Sequence, residues 1–180
     1  MPISVIDTEI PEVKVIVAIR HLDNRGFFSE TYKEIDYEKI GISRFVQDNL
    51  SESAKGVIRG LHWQDFPYGQ GKLVTCFSGA IFDVAVDIRK KSPTFGKHVA
   101  IEINSSEPKA LWIPEGFAHG FQSLEDNTRV MYKVTNYWNK NSEKSLNYCS
   151  PGLNIVWPIG TPILSDKDRE APSLNEIYVD

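Results

Sequence analysis

Four polar side chains sit close together between Gly56 and Gly79, in GVIRGLHWQDFPYGQGKLVTCFSG. They are Arg59, His62, Gln64 and Lys72, set among apolar Val57, Ile58, Leu61, Leu73, Val74 and Phe77. An imidazole has an unperturbed pKa of roughly 6.5 and suits proton transfer near neutral pH. An ammonium stabilises an oxyanion as it develops. A guanidinium matches a phosphate or carboxylate. Downstream, WIPEGFAHGFQSL carries His119. A single histidine is more often structural than catalytic. Arg59 and Lys72 beside His62 in one pocket favour chemistry: proton transfer on a substrate that carries anionic groups.

These residues need a rigid frame, and the frame reads as β-structure. Side chains two apart on a strand share a face. Alternation therefore predicts Arg59, Leu61 and Trp63 on one face and Ile58, Gly60, His62 and Gln64 on the other. The stretch reads as two short antiparallel strands joined by the loop DFPYGQG. Further strands are expected at Val13–Ala18, Arg44–Asn49, Ala80–Ile88, Gly96–Ile103, Leu111–Pro114 and Arg129–Tyr137, with mixed strand character over Asn147–Trp157. Tyr32–Ile40 is the one helical stretch, ended by Gly41. From Pro158 the tail reads as loops with one short helix. Many short strands at regular spacing predict an all-β jelly-roll barrel, a single domain over residues 1–180.

A net charge of −4 argues against a general nucleic-acid surface. The two cysteines, Cys76 and Cys149, make no disulfide framework, and Cys76 in an apolar strand reads as a buried thiol. The first residues hold acids where a secretory signal would hold lysines and a long apolar run. No segment approaches the roughly 18 apolar residues of a membrane helix. A cytoplasmic protein is expected.

PEGFAH, Pro114 to His119, has the PxGxxH spacing of the second cupin signature. Gly56, His62, Gln64, Lys72 and Gly79 resemble the first signature along its length. Metal-binding cupins place His, His and Glu where this chain has His62, Gln64 and Lys72. A protonated lysine repels a cation and offers it no lone pair. No metal is expected.

The likeness is closer than superfamily level. NRGFFSETY, FVQDNLS, VIRGLHWQ, QGKLV, FDVAVDIRKKSPTFGKH, LWIPEGFAHGF and YKVTNYW resemble the dTDP-4-dehydrorhamnose 3,5-epimerase family. The resemblance runs from about Ile10 to the SDKD segment. It implies His62 as general base, Asp168 as the carboxylate that orients it, and Tyr132 as proton donor on the opposite sugar face. It puts Lys72 near the C4 carbonyl oxygen. It implies nucleotide-sugar contacts for Arg25, Glu30, Gln47, Asn49, Arg59, His119, Glu143 and Lys167, and a further aromatic at Tyr137. The implied substrate is dTDP-4-dehydro-6-deoxy-D-glucose, whose C3 and C5 hydrogens are acidic because both flank the C4 ketone. Such a reaction needs no redox cofactor or metal. The family is typically a homodimer with an N-terminal strand contributed across the interface, and exposed β-branched residues over Val13–Val17 would fit that. Three other readings are a mono-epimerase, a non-catalytic sugar-binding cupin and a metal-dependent cupin dioxygenase. Gln64 and Lys72 count against the last.

Overall fold

The computed structural model describes residues 3–178. Two antiparallel sheets pack face to face as a jelly-roll barrel of the expected cupin type. One sheet has six strands in the order β1 (Ile3–Asp7), β2 (Lys14–Ala18), β10 (Lys109–Ile113), β7 (Lys72–Ser78), β12 (Thr128–Val134) and β5 (Gln47–Ser53). The other has five, β13 (Glu143–Ser145), β6 (Ile58–Gln64), β11 (Phe117–Ser123), β8 (Ala80–Asp87) and β9 (His98–Asn104). A separate hairpin joins β3 (His21–Asp23) to β4 (Gly26–Phe28). Two short helices are α1 (Glu34–Glu38) and α2 (Asp166–Arg169). Among the described residues, no helix is long and apolar enough to cross a membrane.

Strand alternation sorts the apolar residues into three layers. Val74, Cys76, Ile81, Ala85, Leu111, Phe117, Phe121 and Val130 meet between the sheets. Their neighbours on the same strands point outward. Leu61, Trp63, Val84 and Val86 pack under the C-terminal residues Leu146, Leu153 and Leu174. Leu73, Ala110 and Trp112 pack under Tyr37 and Ile42 beside α1. Both sheets are thus covered outside as well as inside. Cys76 is a buried free thiol, as its setting predicts.

Several expected elements move. The two strands flanking DFPYGQG are not partners: β6 pairs with β11 and β13, whereas β7 pairs with β10 and β12. The loop crosses from one sheet to the other, which sets His62 and Lys72 on opposing walls. The strand expected at Arg44–Asn49 is Gln47–Ser53, and the helix over Tyr32–Ile40 shrinks to Glu34–Glu38. Asn147–Trp157 forms no strand; the residues that extend the sheet are Glu143–Ser145. The residues Val13, Val15 and Ile16 are buried, not exposed, because β2 lies inside the six-stranded sheet.

One irregularity matters for function. His119 pairs with His62 and Phe121 pairs with Arg59, so three steps on β6 match two on β11. A bulge of one residue reverses the alternation. Leu61 and Trp63 face outward as one set, but Arg59 turns inward with His62. The strands approach closely there: a Cβ on Gly60 would lie 2.5 Å from the Cα of Gly120, and one on Gly120 would lie 2.8 Å from the Arg59 carbonyl oxygen. Gly60 has φ of 129°, a region L side chains rarely adopt. Gly120→Ala should therefore cost about 2–3 kcal/mol, because backbone and not a flexible side chain must give way. Urea melts will measure it, and the variant should lose activity in its folded fraction as Arg59 and His62 separate.

Candidate active site

The inward set on β6, β7, β11 and β12 is polar at one end of the barrel. Arg59, His62, Lys72, His119, Tyr132 and Asp168 line one cavity of about 460 Å³. Val57, Ile58, Phe121, Ile163 and Leu164 give it an apolar side. His62 reaches it from the five-stranded sheet, and Lys72 and Tyr132 from the six-stranded sheet. The imidazole and the phenol thus enter the cavity from opposing sheets.

Each histidine spends a ring nitrogen on a carboxylate. His62 Nε2 lies 2.5 Å from Asp168 Oδ1. Its Nδ1 is therefore the nitrogen left for chemistry, and a carboxylate behind Nε2 favours the charge an imidazole gains on taking a proton. Asp168 is only 3% exposed. Burial alone would raise its pKa, but hydrogen bonds from His62, Ser165 and the Gly60 amide hold it below the usual carboxylate range. His119 Nε2 lies 2.7 Å from Asp83 Oδ1. Burial depresses the His119 pKa, with Asp83 opposing it, which favours a neutral ring able to donate one hydrogen bond.

Lys72 is buried, and its ammonium donates to the His62 carbonyl oxygen at 3.0 Å. Burial brings its pKa down to about 8, with Asp83 and Glu143 pulling the other way. It is charged at neutral pH and close to losing that charge. Burial raises the Tyr132 pKa, with a push from Glu143 and opposition from Arg59, so the phenol keeps its proton. Arg59 is fixed by Ser53 Oγ at 2.9 Å and the Glu52 carbonyl at 3.1 Å. The cavity thus offers a base, an acid, an oxyanion donor and an anion-binding guanidinium.

A second space of about 150 Å³ shares His62, Lys72 and Tyr132 and adds Gln47, Asn49, Trp138 and Glu143. Glu143 pairs with Lys167 at 2.7 Å. Burial would raise the Glu143 pKa; Lys167 and Trp138 lower it further than burial lifts it. Gln47 donates to Asn49 at 2.9 Å and accepts from the Trp138 amide at 3.1 Å. Gln64 also lines this space, but its amide is bonded to the backbone. It donates to the carbonyls of Tyr68 and Tyr137, at 2.6 and 3.1 Å, and accepts from the Asn139 amide at 2.6 Å. It ties two loops together. Gln64 and Lys72 thus leave the metal pattern two ligands short, and among the described residues no three His, Cys, Asp or Glu side chains gather to hold an ion.

Tyr137 is 65% exposed beside this opening and lines neither space. Arg25 and Glu30 also line neither. Arg25 lies in the exposed β3–β4 turn, bound to Asp23, with Leu22 80% and Phe28 70% exposed around it. Asp83 and Ser165 are the site residues that sequence reasoning missed. Asp83 had a signal: an acid on the same strand face as Ile81 and Ala85, where a β-barrel keeps its interior. Ser165, one residue before a short acidic helix, had only a capping signal.

A family model described as dTDP-4-dehydrorhamnose 3,5-epimerase matches residues 7–176. The curated dTDP-4-dehydrorhamnose 3,5-epimerase of Shigella flexneri is 49% identical over 168 residues, covering 92% of each chain. The crystal structure of a Legionella pneumophila 3,5-epimerase in complex with dTDP-4-keto-L-rhamnose is 46% identical, with a TM-score of 0.93 over 99% of this chain and 95% of that one. A 3'-monoepimerase from Streptomyces bikiniensis in complex with dTDP-quinovose is 31% identical, with a TM-score of 0.88 over 94% of this chain and 87% of that one. By family model, by sequence along nearly its whole length and by fold, this chain belongs to the dTDP-4-dehydrorhamnose 3,5-epimerase family.

Proposed function

We propose that the protein inverts C3 and C5 of dTDP-4-dehydro-6-deoxy-D-glucose, giving dTDP-4-dehydro-L-rhamnose in dTDP-L-rhamnose synthesis. His62 takes the proton from the carbon next to the C4 ketone, and the electron pair moves onto the carbonyl oxygen. Lys72 stabilises that enolate. Tyr132 returns a proton to the opposite face of the same carbon, and the ketone re-forms with the configuration inverted. Arg59 holds the diphosphate, His119, Gln47, Asn49, Glu143 and Lys167 contact the nucleotide-sugar, and Tyr137 lies against it. The observation that carries the reading is the pair His62 and Tyr132, on opposite sheets of one cavity that Lys72 also lines.

Incubation with the substrate in heavy water tests it. Deuterium should appear at both C3 and C5. Uptake at one carbon alone selects the second reading, a mono-epimerase, which the likeness to the Streptomyces 3'-monoepimerase keeps in view. Tyr132→Phe separates the two proton transfers. Exchange of substrate hydrogen with solvent should persist within about tenfold, while inverted product falls by about 100-fold or more. Equal loss of both would remove Tyr132 from the donor role.

A homodimer belongs to the same reading. The exposed hairpin with Leu22, Phe27, Phe28 and Arg25 projects from the barrel, which fits a segment that completes a partner's cavity and brings Arg25 and Glu30 to the nucleotide there. Sedimentation should give twice the chain mass, and Arg25→Ala should weaken dTDP binding without unfolding the barrel. A cytoplasmic location goes with this reading, and the buried free thiol of Cys76 suits a reducing compartment.

A further inference from the structure

Arg59 is an exposed side chain on a strand whose other members are mostly buried. A guanidinium on a long flexible stem samples many positions in water, and a ligand that must order it loses affinity. Here the ordering is done before a ligand arrives. Nε donates to Ser53 Oγ at 2.9 Å and Nη2 donates to the Glu52 carbonyl at 3.1 Å. Both acceptors belong to β5, at the edge of the six-stranded sheet, whereas Arg59 starts from β6 in the five-stranded sheet. The side chain thus spans from one sheet to the other beside the cavity it lines.

Its seat is rigid. Ser53 is buried and pairs with Thr128 across the β5–β12 ladder. Thr128 is buried too, and its hydroxyl donates to the Glu125 carbonyl at 2.8 Å. Ser53 shares a strand face with Ser51, which lines the cavity. The Glu52 carboxylate accepts from Arg129 Nε at 2.7 Å. What β5 offers Arg59 is a hydroxyl and a carbonyl, both neutral, so neither cancels the positive charge. A guanidinium has five N–H donors, and β5 takes two of them. The three that remain, two on Nη1 and one on Nη2, include the end-on pair that grips an oxyanion with two parallel bonds.

We propose that Ser53 is a positioning residue of the anion site: by accepting from Nε, its hydroxyl holds the Arg59 guanidinium with the end of the fork free for the diphosphate of a nucleotide-sugar. The inference rests on reading Arg59 as the diphosphate contact. Ser53 itself lines neither space and acts only through Arg59. Without the hydroxyl, Nε loses its acceptor, the side chain regains its freedom, and the ordering falls on the ligand.

The experiment is a calorimetric titration with dTDP and with thymidine, together with kcat and KM. The proteins are the wild type, Ser53→Ala, Ser53→Cys, Ser53→Thr, Arg59→Ala and the double variant of Ser53→Ala with Arg59→Ala. Cysteine keeps the size of serine but its sulfur is a weak acceptor, whereas threonine keeps the hydroxyl. Ser53→Ala and Ser53→Cys should bind dTDP about fivefold to tenfold more weakly, with thymidine, which has no phosphate, within twofold. KM should rise by the same factor with kcat within twofold, and Ser53→Thr should stay near the wild type. In the Arg59→Ala background, Ser53→Ala should change dTDP binding less than twofold, because the group it acts through is gone. An equal loss for dTDP and thymidine, or an undiminished loss with Arg59 already removed, would make Ser53 a merely structural residue and overturn the proposal. Should Ser53→Ala fail to fold, Ser53→Cys decides. Arg59→Ala separates the two claims. If it binds dTDP like the wild type, the diphosphate reading of Arg59 falls and this proposal with it. If it binds weakly while the Ser53 variants bind normally, this proposal alone falls.

Discussion

Replacing His62 with Asn should lower kcat by about 1,000-fold or more, since a general base and the enolate it generates are lost together. Deuterium uptake should vanish at C3 and C5 in the same variant, because one imidazole serves both carbons. Binding of dTDP should stay within a few-fold, as Arg59, Gln47, Asn49 and Glu143 are unchanged. Asp168→Asn should cost nearly as much. An amide at that place cannot favour a proton on His62 and can itself donate to Nε2, which leaves the ring in the wrong tautomer. The double variant should be little worse than either single one, because two groups acting as a unit do not add. Steady-state kinetics and NMR of the recovered sugar will measure all of this. Retained exchange at either carbon in His62→Asn would place a second base in the cavity and break the scheme.

How far the sequence alone leads depends on which physical constraint sets each feature. Ala80–Asp87 was legible because strict alternation survives into the structure, with Ile81 and Ala85 inside and Val84 and Val86 under the C-terminal cover. His62, Lys72 and His119 were legible from their motifs and Tyr132 through family resemblance, and the structure does bring all four to one cavity. The pairing of β6 was not. Periodicity reports faces, not partners, and a loop such as DFPYGQG reads the same whether it closes a hairpin or crosses between sheets. Arg59 was assigned the wrong face because a one-residue bulge against β11 leaves no mark in composition. The end of β5 was missed because Leu50-Ser-Glu-Ser53 has the look of a loop; its ladder with Thr128–Met131 is a tertiary fact. Asp168 was visible only through family resemblance, since an acid in DKDRE otherwise reads as a solvated tail. Its burial comes from the bridge at Ile163, which no local pattern announces.

The crossing that periodicity could not reveal is also what makes the site possible. A hairpin would have set His62 and Lys72 on one sheet, side by side. Sending β7 to the opposite wall brings Lys72 in from the sheet facing the base, with its ammonium reaching over to the His62 carbonyl oxygen at 3.0 Å. The same barrel interior that aligns these groups also strips water from them, and that desolvation is what tunes Lys72.

Lys72 should therefore show opposite signs in activity and stability. Its ammonium is needed to stabilise the enolate, so Lys72→Met should lower kcat by about 100-fold to 1,000-fold. In the wild type, kcat should decline as pH rises through about 8, where Lys72 gives up its proton. Tyr132, with its pKa raised by burial, keeps its own proton across that range and is not the source of this limb. Stability runs the other way. The folded value of about 8 lies below the ordinary 10.5, so between these limits the unfolded chain binds more protons than the folded one. The cost of burying the ammonium is present below pH 8 and is relieved as pH climbs toward 10.5, by about 3 kcal/mol at full extent. Lys72→Met fills a similar volume without the charge, so it should be at least as stable as the wild type at pH 7 and should lack this gain at pH 10. Urea melts of both proteins at the two pH values, set beside the pH profile of kcat, make the test. Equal gains in the two proteins would show that Lys72 is solvated in the folded state, and its role beside the ketone oxygen would go with it.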